Sequence, residues 1–134
     1  MEDPTPFIHD AMPLTRTLGV TAEKAERREV VLRLEWAEGL CTAGGVLHGG
    51  ALMALADSAG ATCAFLNLPE GATATSTIES KTNFMRAVRS GAVTARAKLL
   101  HEGRTTIVVE TTITDGDGRL VAKTLQTQAV IAGD

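Results

Sequence analysis

The sequence predicts an α+β fold in which a curved antiparallel sheet, ordered ββαββββ, wraps one long central helix. Three observations carry that prediction. Gly50 to Leu66 has helix length and is small or apolar on every face, with Asp57, Ser58, Thr62 and Cys63 as the main polar exceptions. The segments on either side alternate apolar and polar residues with a period of two, as half-buried strands do. Turn signals separate them: Pro69-Glu70-Gly71, Gly103, and Asp115-Gly116-Asp117-Gly118. A helix apolar all round belongs in an interior, and an isolated acid on it needs a polar partner or a chemical role.

Residues 1–15 contain three prolines and no sustained period, which predicts an arm or a short helix whose Phe7, Ile8, Met12 and Leu14 cover an edge. A strand around Arg16 to Ala25 is expected to pair, through a turn near Glu26 to Arg28, with a second strand. In that second strand Val30, Leu32, Leu34 and Trp36 alternate with Val31, Arg33 and Glu35. Beyond the helix, Thr73 to Phe84 carries Thr73, Thr75, Thr77, Glu79, Lys81 and Asn83 on one face, and its threonine density favours strand. Gly91 to Glu102 alternates Val93, Ala95, Ala97 and Leu99 against Thr94, Arg96 and Lys98. Thr105 to Thr114 and Leu120 to Ile131 complete the sheet. One helix cannot cover both faces of six strands, so a second copy of the chain is the expected partner. Ala51, Ala54, Ala56, Ala59, Gly60 and Ala64 would let the sheet backbone approach the helix closely.

At 134 residues and 44% apolar content, a single domain spanning residues 1–134 is expected. An aromatic content of 3%, with no Tyr, and a formal charge of -3 argue against a nucleic-acid binder. The charge is uneven: residues 68–134 hold 8 basic and 7 acidic side chains, against 5 and 9 in residues 1–67. That balance suits one small anionic ligand better than a polyanion. The longest apolar run is interrupted by Asp57 and falls short of a membrane span. Cys41 and Cys63 have no metal-ligand spacing, and His9, His48 and His101 are scattered, so no metal site is expected. With no signal peptide read at the start, the expected compartment is the reducing cytoplasm.

The chemistry concentrates where the helix begins. A helix opening at His48-Gly49-Gly50 presents unpaired N–H groups and the positive end of its dipole, and glycine lets a ligand atom approach the backbone. These are the elements of an oxyanion hole. Asp57 lies nine residues after His48, two and a half turns along and roughly on the opposite side. The Gly49 N–H and the Asp57 carboxylate therefore meet on one atom most readily across a symmetric dimer.

His48-Gly49-Gly50 followed by Asp57, and then Asn83-Phe84-Met85-Arg86, resembles the hotdog-fold acyl-CoA thioesterases of the phenylacetate-pathway (PaaI) type, over roughly Leu18 to Ile131. The resemblance implies that the Gly49 N–H polarises the thioester carbonyl and that Asp57, from the other subunit, attacks it or activates water. It implies that a hydroxyl on the following strand, here Thr77, helps hold the water, and that His48 fixes the loop and helix start more than it exchanges protons. Six residues before the histidine the family commonly has Asn or Gln; here Thr42 stands there, a departure from the pattern. Coenzyme A, as part of the substrate rather than as a cofactor, would place its phosphates near Arg86, Arg89 and Arg104, with Thr105 beside the last. The acyl group would lie near Gly50, along Leu47, Met53 and Phe84, with Asn83 adjoining. Self-association into a homodimer or homotetramer is also implied. Two rival readings are a hotdog module that binds acyl-CoA without turnover and, less well supported, an enoyl-CoA hydratase. The hydratase would want an acid/base histidine beside Asp57, and none is evident.

Overall fold

The computed structural model describes residues 2–133. Two short helices come first, α1 (Thr5–Ala11) and α2 (Pro13–Leu18), each with proline in its first turn, where the missing N–H costs nothing. Helix α2 stops at Gly19, whose φ of 80° is the left-handed conformation glycine adopts without strain. The expected first strand is therefore shortened: Arg16 to Leu18 belong to α2, and β1 covers only Thr21–Ala25. The proline start and glycine stop outweigh the weak alternation there.

The remaining elements are β2 (Val30–Glu35), α3 (Gly49–Phe65), β3 (Ala72–Phe84), β4 (Ala92–Glu102), β5 (Thr106–Thr114) and β6 (Leu120–Ala132). Six antiparallel strands lie in the order β1-β2-β4-β5-β6-β3. The expected ββαββββ order holds, and the sheet curves around α3 in the hotdog manner. Trp36 leaves the strand pattern because its indole N–H turns to the Gly45 carbonyl at 2.9 Å.

The face of α3 toward the sheet is built from small and aliphatic residues, with Leu55, Ala56, Ala59, Cys63 and Ala64 fully buried. Its polar residues are satisfied locally: Ser58 Oγ donates to the Ala54 carbonyl at 2.7 Å and Thr62 Oγ1 to the Ser58 carbonyl at 2.8 Å. The helix is not covered all round. Gly50, Met53, Ala54, Asp57, Ala61 and Phe65 fall on one stripe that the sheet leaves partly uncovered, with Met53 38% and Phe65 47% exposed. A concave sheet covers one side of a cylinder, so Ala51 and Ala54, expected in the enclosed set, are only half-buried.

Strand β3 forms one edge of the sheet and leaves Ile78 62% exposed. It also corrects the expected threonine face. The register shifts between Thr77, opposite Gln128, and Glu79, opposite Thr127, so Ile78 is an extra residue, a β-bulge. Before the bulge Thr75 and Thr77 face the helix; after it Ser80, Thr82 and Phe84 do, paired with Gln126, Thr124 and Ala122. Glu79, Lys81 and Asn83 turn to the outer face.

At the β1–β2 hairpin the Glu29 carboxylate gathers Lys24 at 3.2 Å, Lys98 at 3.5 Å and Arg96 at 3.8 Å. The hydrogen bond from Lys24, more than the neighbouring positive charges, holds the Glu29 carboxyl below its ordinary 4.5 despite some desolvation. A lowered folded pKa contributes stability above the unfolded value that is lost as pH falls through the folded one. Glu29→Gln is expected to lower stability by roughly 1 kcal/mol at pH 7. Melting curves of both proteins should converge as pH falls below the lowered folded pKa, where the carboxyl is protonated in either state.

Candidate active site

The loop into α3 is built by backbone geometry. Gly44 and Gly45 take φ of 79° and 73°, a pair of left-handed residues that only glycine supplies readily. The turn they make is closed by Thr42 N–H donating to the Val46 carbonyl at 2.8 Å and pinned by the Trp36 indole. Leu47 N–H then donates to the Val88 carbonyl and His48 N–H to the Leu40 carbonyl, each at 2.9 Å. Held this way, His48 becomes the N-cap of α3.

The first N–H groups of the helix are apportioned unequally. Gly50 N–H donates to His48 Nδ1 at 2.7 Å. Ala51 and Leu52 N–H both donate to the His48 carbonyl, at 2.9 and 3.2 Å. Among the described residues nothing accepts from Gly49 N–H. Because Nδ1 of His48 accepts, the proton of the neutral ring sits on Nε2, and the side chain serves as a helix cap. Gly49, whose N–H is free, lines a cavity of about 400 Å³ with Thr42, Leu47, Phe84 and Arg86 among others. The Phe84 ring closes over it so tightly that a Cβ on Gly49 would lie 3.2 Å from the ring.

Asp57 sits elsewhere. It is half-buried on the uncovered stripe of α3, eight residues and about 12 Å along the axis from Gly49. Thr77 Oγ1 donates to Asp57 Oδ1 at 3.0 Å, and the Nε2 group of Gln126 donates to the same oxygen. Gln128 Nε2 donates to Thr77 Oγ1 at 2.6 Å. Asp57 Oδ2 has no partner among the described residues, and no cation pairs with the carboxylate there.

The expected site residues thus divide. Thr42, Leu47, Gly49, Phe84 and Arg86 converge on one cavity, while His48 caps α3 and lines a separate hollow. Asp57 and Thr77 form a second group, with Met53 one turn away on the same helix stripe and outside the Gly49 cavity. Gly50 lies on the far side of the loop, in a hollow of about 250 Å³ with Leu14, Leu18 and Cys41. Arg89 lines a neighbouring cleft with Asp115 and Asp117. Arg104 and Thr105 stand at the opposite end of the sheet, where Val130 N–H donates to the Thr105 carbonyl. Asn83 is on the outer face of β3, paired with Lys123. Burial pushes the Cys63 thiol up to about 11, which keeps it protonated and unreactive.

Sequence reasoning passes over Gln126, Gln128 and Trp36. Two glutamines at i and i+2 on a strand facing a helix that carries a lone acid are the available signal. Among the described residues no three His, Cys, Asp or Glu side chains cluster as metal ligands would. No helix there is long and apolar enough to cross a membrane.

The chain is similar in sequence and fold to known proteins. The family model described as the thioesterase superfamily matches residues 44–122, which contain the loop, α3, β3, β4, β5 and the start of β6. The chain belongs to that superfamily, a family of thioester hydrolases. A 1,4-dihydroxy-2-naphthoyl-CoA hydrolase of Listeria monocytogenes is 32% identical over 119 residues, 89% of this chain and 96% of the relative. A point mutant of thioesterase PA1618 from Pseudomonas aeruginosa superposes with a TM-score of 0.89 at 27% identity, covering 96% of this chain and 94% of the other. Thioesterase HI1161 of Haemophilus influenzae gives a TM-score of 0.83 at 29% identity, covering 89% and 82%.

A capping histidine has a measurable signature. His48→Ala should destabilise the protein by about 1 kcal/mol, whereas His48→Asn, which still offers a cap oxygen, should retain most of that stability. Urea denaturation of the two variants compares them directly; equal losses would discount the cap.

Proposed function

We propose that the chain is an acyl-CoA thioesterase whose site pairs the Gly49 N–H of one subunit with Asp57 of a second copy. The observation that carries this reading is the division of the site. A free N–H donor and a carboxylate with one free oxygen lie about 12 Å apart on one helix. The carboxylate stands on an uncovered apolar stripe beside an exposed edge strand. Pairing two such surfaces about a two-fold axis would cover the stripe and complete two equivalent sites.

In the proposed reaction the thioester carbonyl oxygen accepts from Gly49 N–H at the positive end of α3. Asp57 Oδ2 takes a proton from water, the water oxygen bonds to the carbonyl carbon, and negative charge develops on the oxygen that Gly49 holds. Collapse of that intermediate breaks the carbon–sulfur bond. The departing thiolate of coenzyme A takes up the proton from Asp57, and the free acid remains. Direct attack by Oδ2, giving a mixed anhydride that water then opens, uses the same groups; oxygen-18 incorporation in a single turnover separates the two routes. Arg86, which lines the Gly49 cavity, is the arginine best placed for a coenzyme A phosphate. The relative in Listeria, a hydrolase of an aromatic acyl-CoA, supports including aromatic acyl groups in the substrate panel.

Two variants test the halves separately. Asp57→Ala should lower the rate of acyl-CoA hydrolysis by about 10²- to 10⁴-fold. Gly49→Pro removes the donor at a position where helices tolerate proline, and should cost about 10²- to 10³-fold. Each homomer should be nearly inactive, while mixed dimers of the two variants should recover part of the activity through one intact site. Wild-type turnover by the Asp57 variant would end the catalytic assignment, and absence of any recovery would place the site within one subunit.

A further inference from the structure

We propose that Gln126 is a positioning residue for Asp57, and that Gly60 is the clearance that lets its amide reach the acid. The inference deepens the assignment of Asp57 as base or nucleophile and rests on it.

Gln126 lies on the inner face of β6 and is fully buried beneath α3. Its amide nitrogen has two N–H groups. One is donated to Asp57 Oδ1 and the other to Thr77 Oγ1 at 3.2 Å. Gln128, equally buried, donates to the same Thr77 oxygen at 2.6 Å. A hydroxyl oxygen accepts two hydrogen bonds and donates one. With both accepting positions of Thr77 taken by amides, its own proton is directed to Asp57 Oδ1 at 3.0 Å. The glutamines therefore fix the threonine hydroxyl as a donor, and Oδ1 receives two hydrogen bonds while Oδ2 is left for the reaction. The amide orientation follows from the same chemistry, since an ionised carboxylate accepts only and turns the carbonyl end of Gln126 away.

That carbonyl end points at Gly60. A Cβ on Gly60 would overlap Gln126 Oε1 and lie 2.9 Å from its Cδ. Glycine inside a helix is unfavourable relative to alanine, and the rest of this stretch is alanine-rich. Among the described residues Gln126 Oε1 has no hydrogen-bond partner, as is also true of Gln128 Oε1. Two unfavourable features, an interior glycine and an unpaired buried carbonyl, thus meet at one contact. What they make possible is the bond from Nε2 to Asp57.

Gln126→Met keeps the length and volume of the side chain and removes the donor. Steady-state kinetics with an acyl-CoA substrate should show kcat reduced about 10- to 100-fold, the worth of a charge-assisted hydrogen bond. KM should stay within about threefold, because Gln126 touches no substrate, and circular dichroism should show the variant folded at the assay temperature. Gly60→Ala should lower kcat similarly by displacing the amide. In a Gln126→Ala background the added methyl has no amide to displace, so the double variant should be no slower than Gln126→Ala alone. A wild-type kcat for Gln126→Met beside an inactive Asp57→Asn overturns the positioning role and leaves the Asp57 assignment standing. Wild-type activity in Asp57→Asn removes the assignment itself. Losses at Gly60 and Gln126 that multiply, or a fall in kcat matched by loss of folded protein in circular dichroism, also count against the proposal.

Discussion

The structure depends on how closely the sheet can approach α3. A strand backbone meets a helix at short range only where the helix side chains are small, and Ala56, Ala59, Gly60 and Ala64 supply that face. Larger residues would hold the sheet away and flatten it, and the inner-face side chains of β6 would no longer reach the helix. The curvature and the polar contacts beneath the helix are therefore one constraint. Tight packing brings Gln126 and Thr77 within hydrogen-bonding distance of Asp57 across the interior.

The same constraint explains why the functional residues divide. Wrapping one side of α3 leaves the other side bare, and the bare stripe is apolar apart from Asp57. A surface of that composition is stabilised by being covered, while an ionised carboxylate in the middle of it is costly to desolvate unless hydrogen bonds replace its water. Those bonds come from the acid's own chain, through Thr77 and Gln126, so the carboxylate is already supported before any second copy arrives. In the proposed dimer the partner then has only to bring the donor end of its helix.

The architecture is legible in the sequence because the deciding signals are local. Small residues at helical spacing, period-two strands and the Asp115-Gly116-Asp117-Gly118 turn each act over a few residues, and the element order follows from them. The glycine-rich start of α3 and the lone acid are legible for the same reason. The first strand reads too long because a proline and a left-handed glycine set the ends of α2 against a weak alternation. The glutamines escape a sequence reading because their role depends on register between β6, β3 and the helix, a long-range property that no window of sequence contains. The pinning of the loop by Trp36 is hidden likewise, since an indole at the end of an alternating run reads as one more strand residue.

Register also accounts for the bulge at Ile78. Thr77 and Phe84 are seven residues apart, an odd interval, so in a regular strand they would point to opposite faces of the sheet. One extra residue between them reverses the alternation, and both then face α3, Thr77 toward Asp57 and Phe84 over Gly49. A strand that served only the acid, or only the donor, would need no such irregularity. Since the acid and the donor of one chain serve different sites in the proposed dimer, the bulge lets one strand furnish both, and it belongs with the division of the helix as part of a single geometric solution.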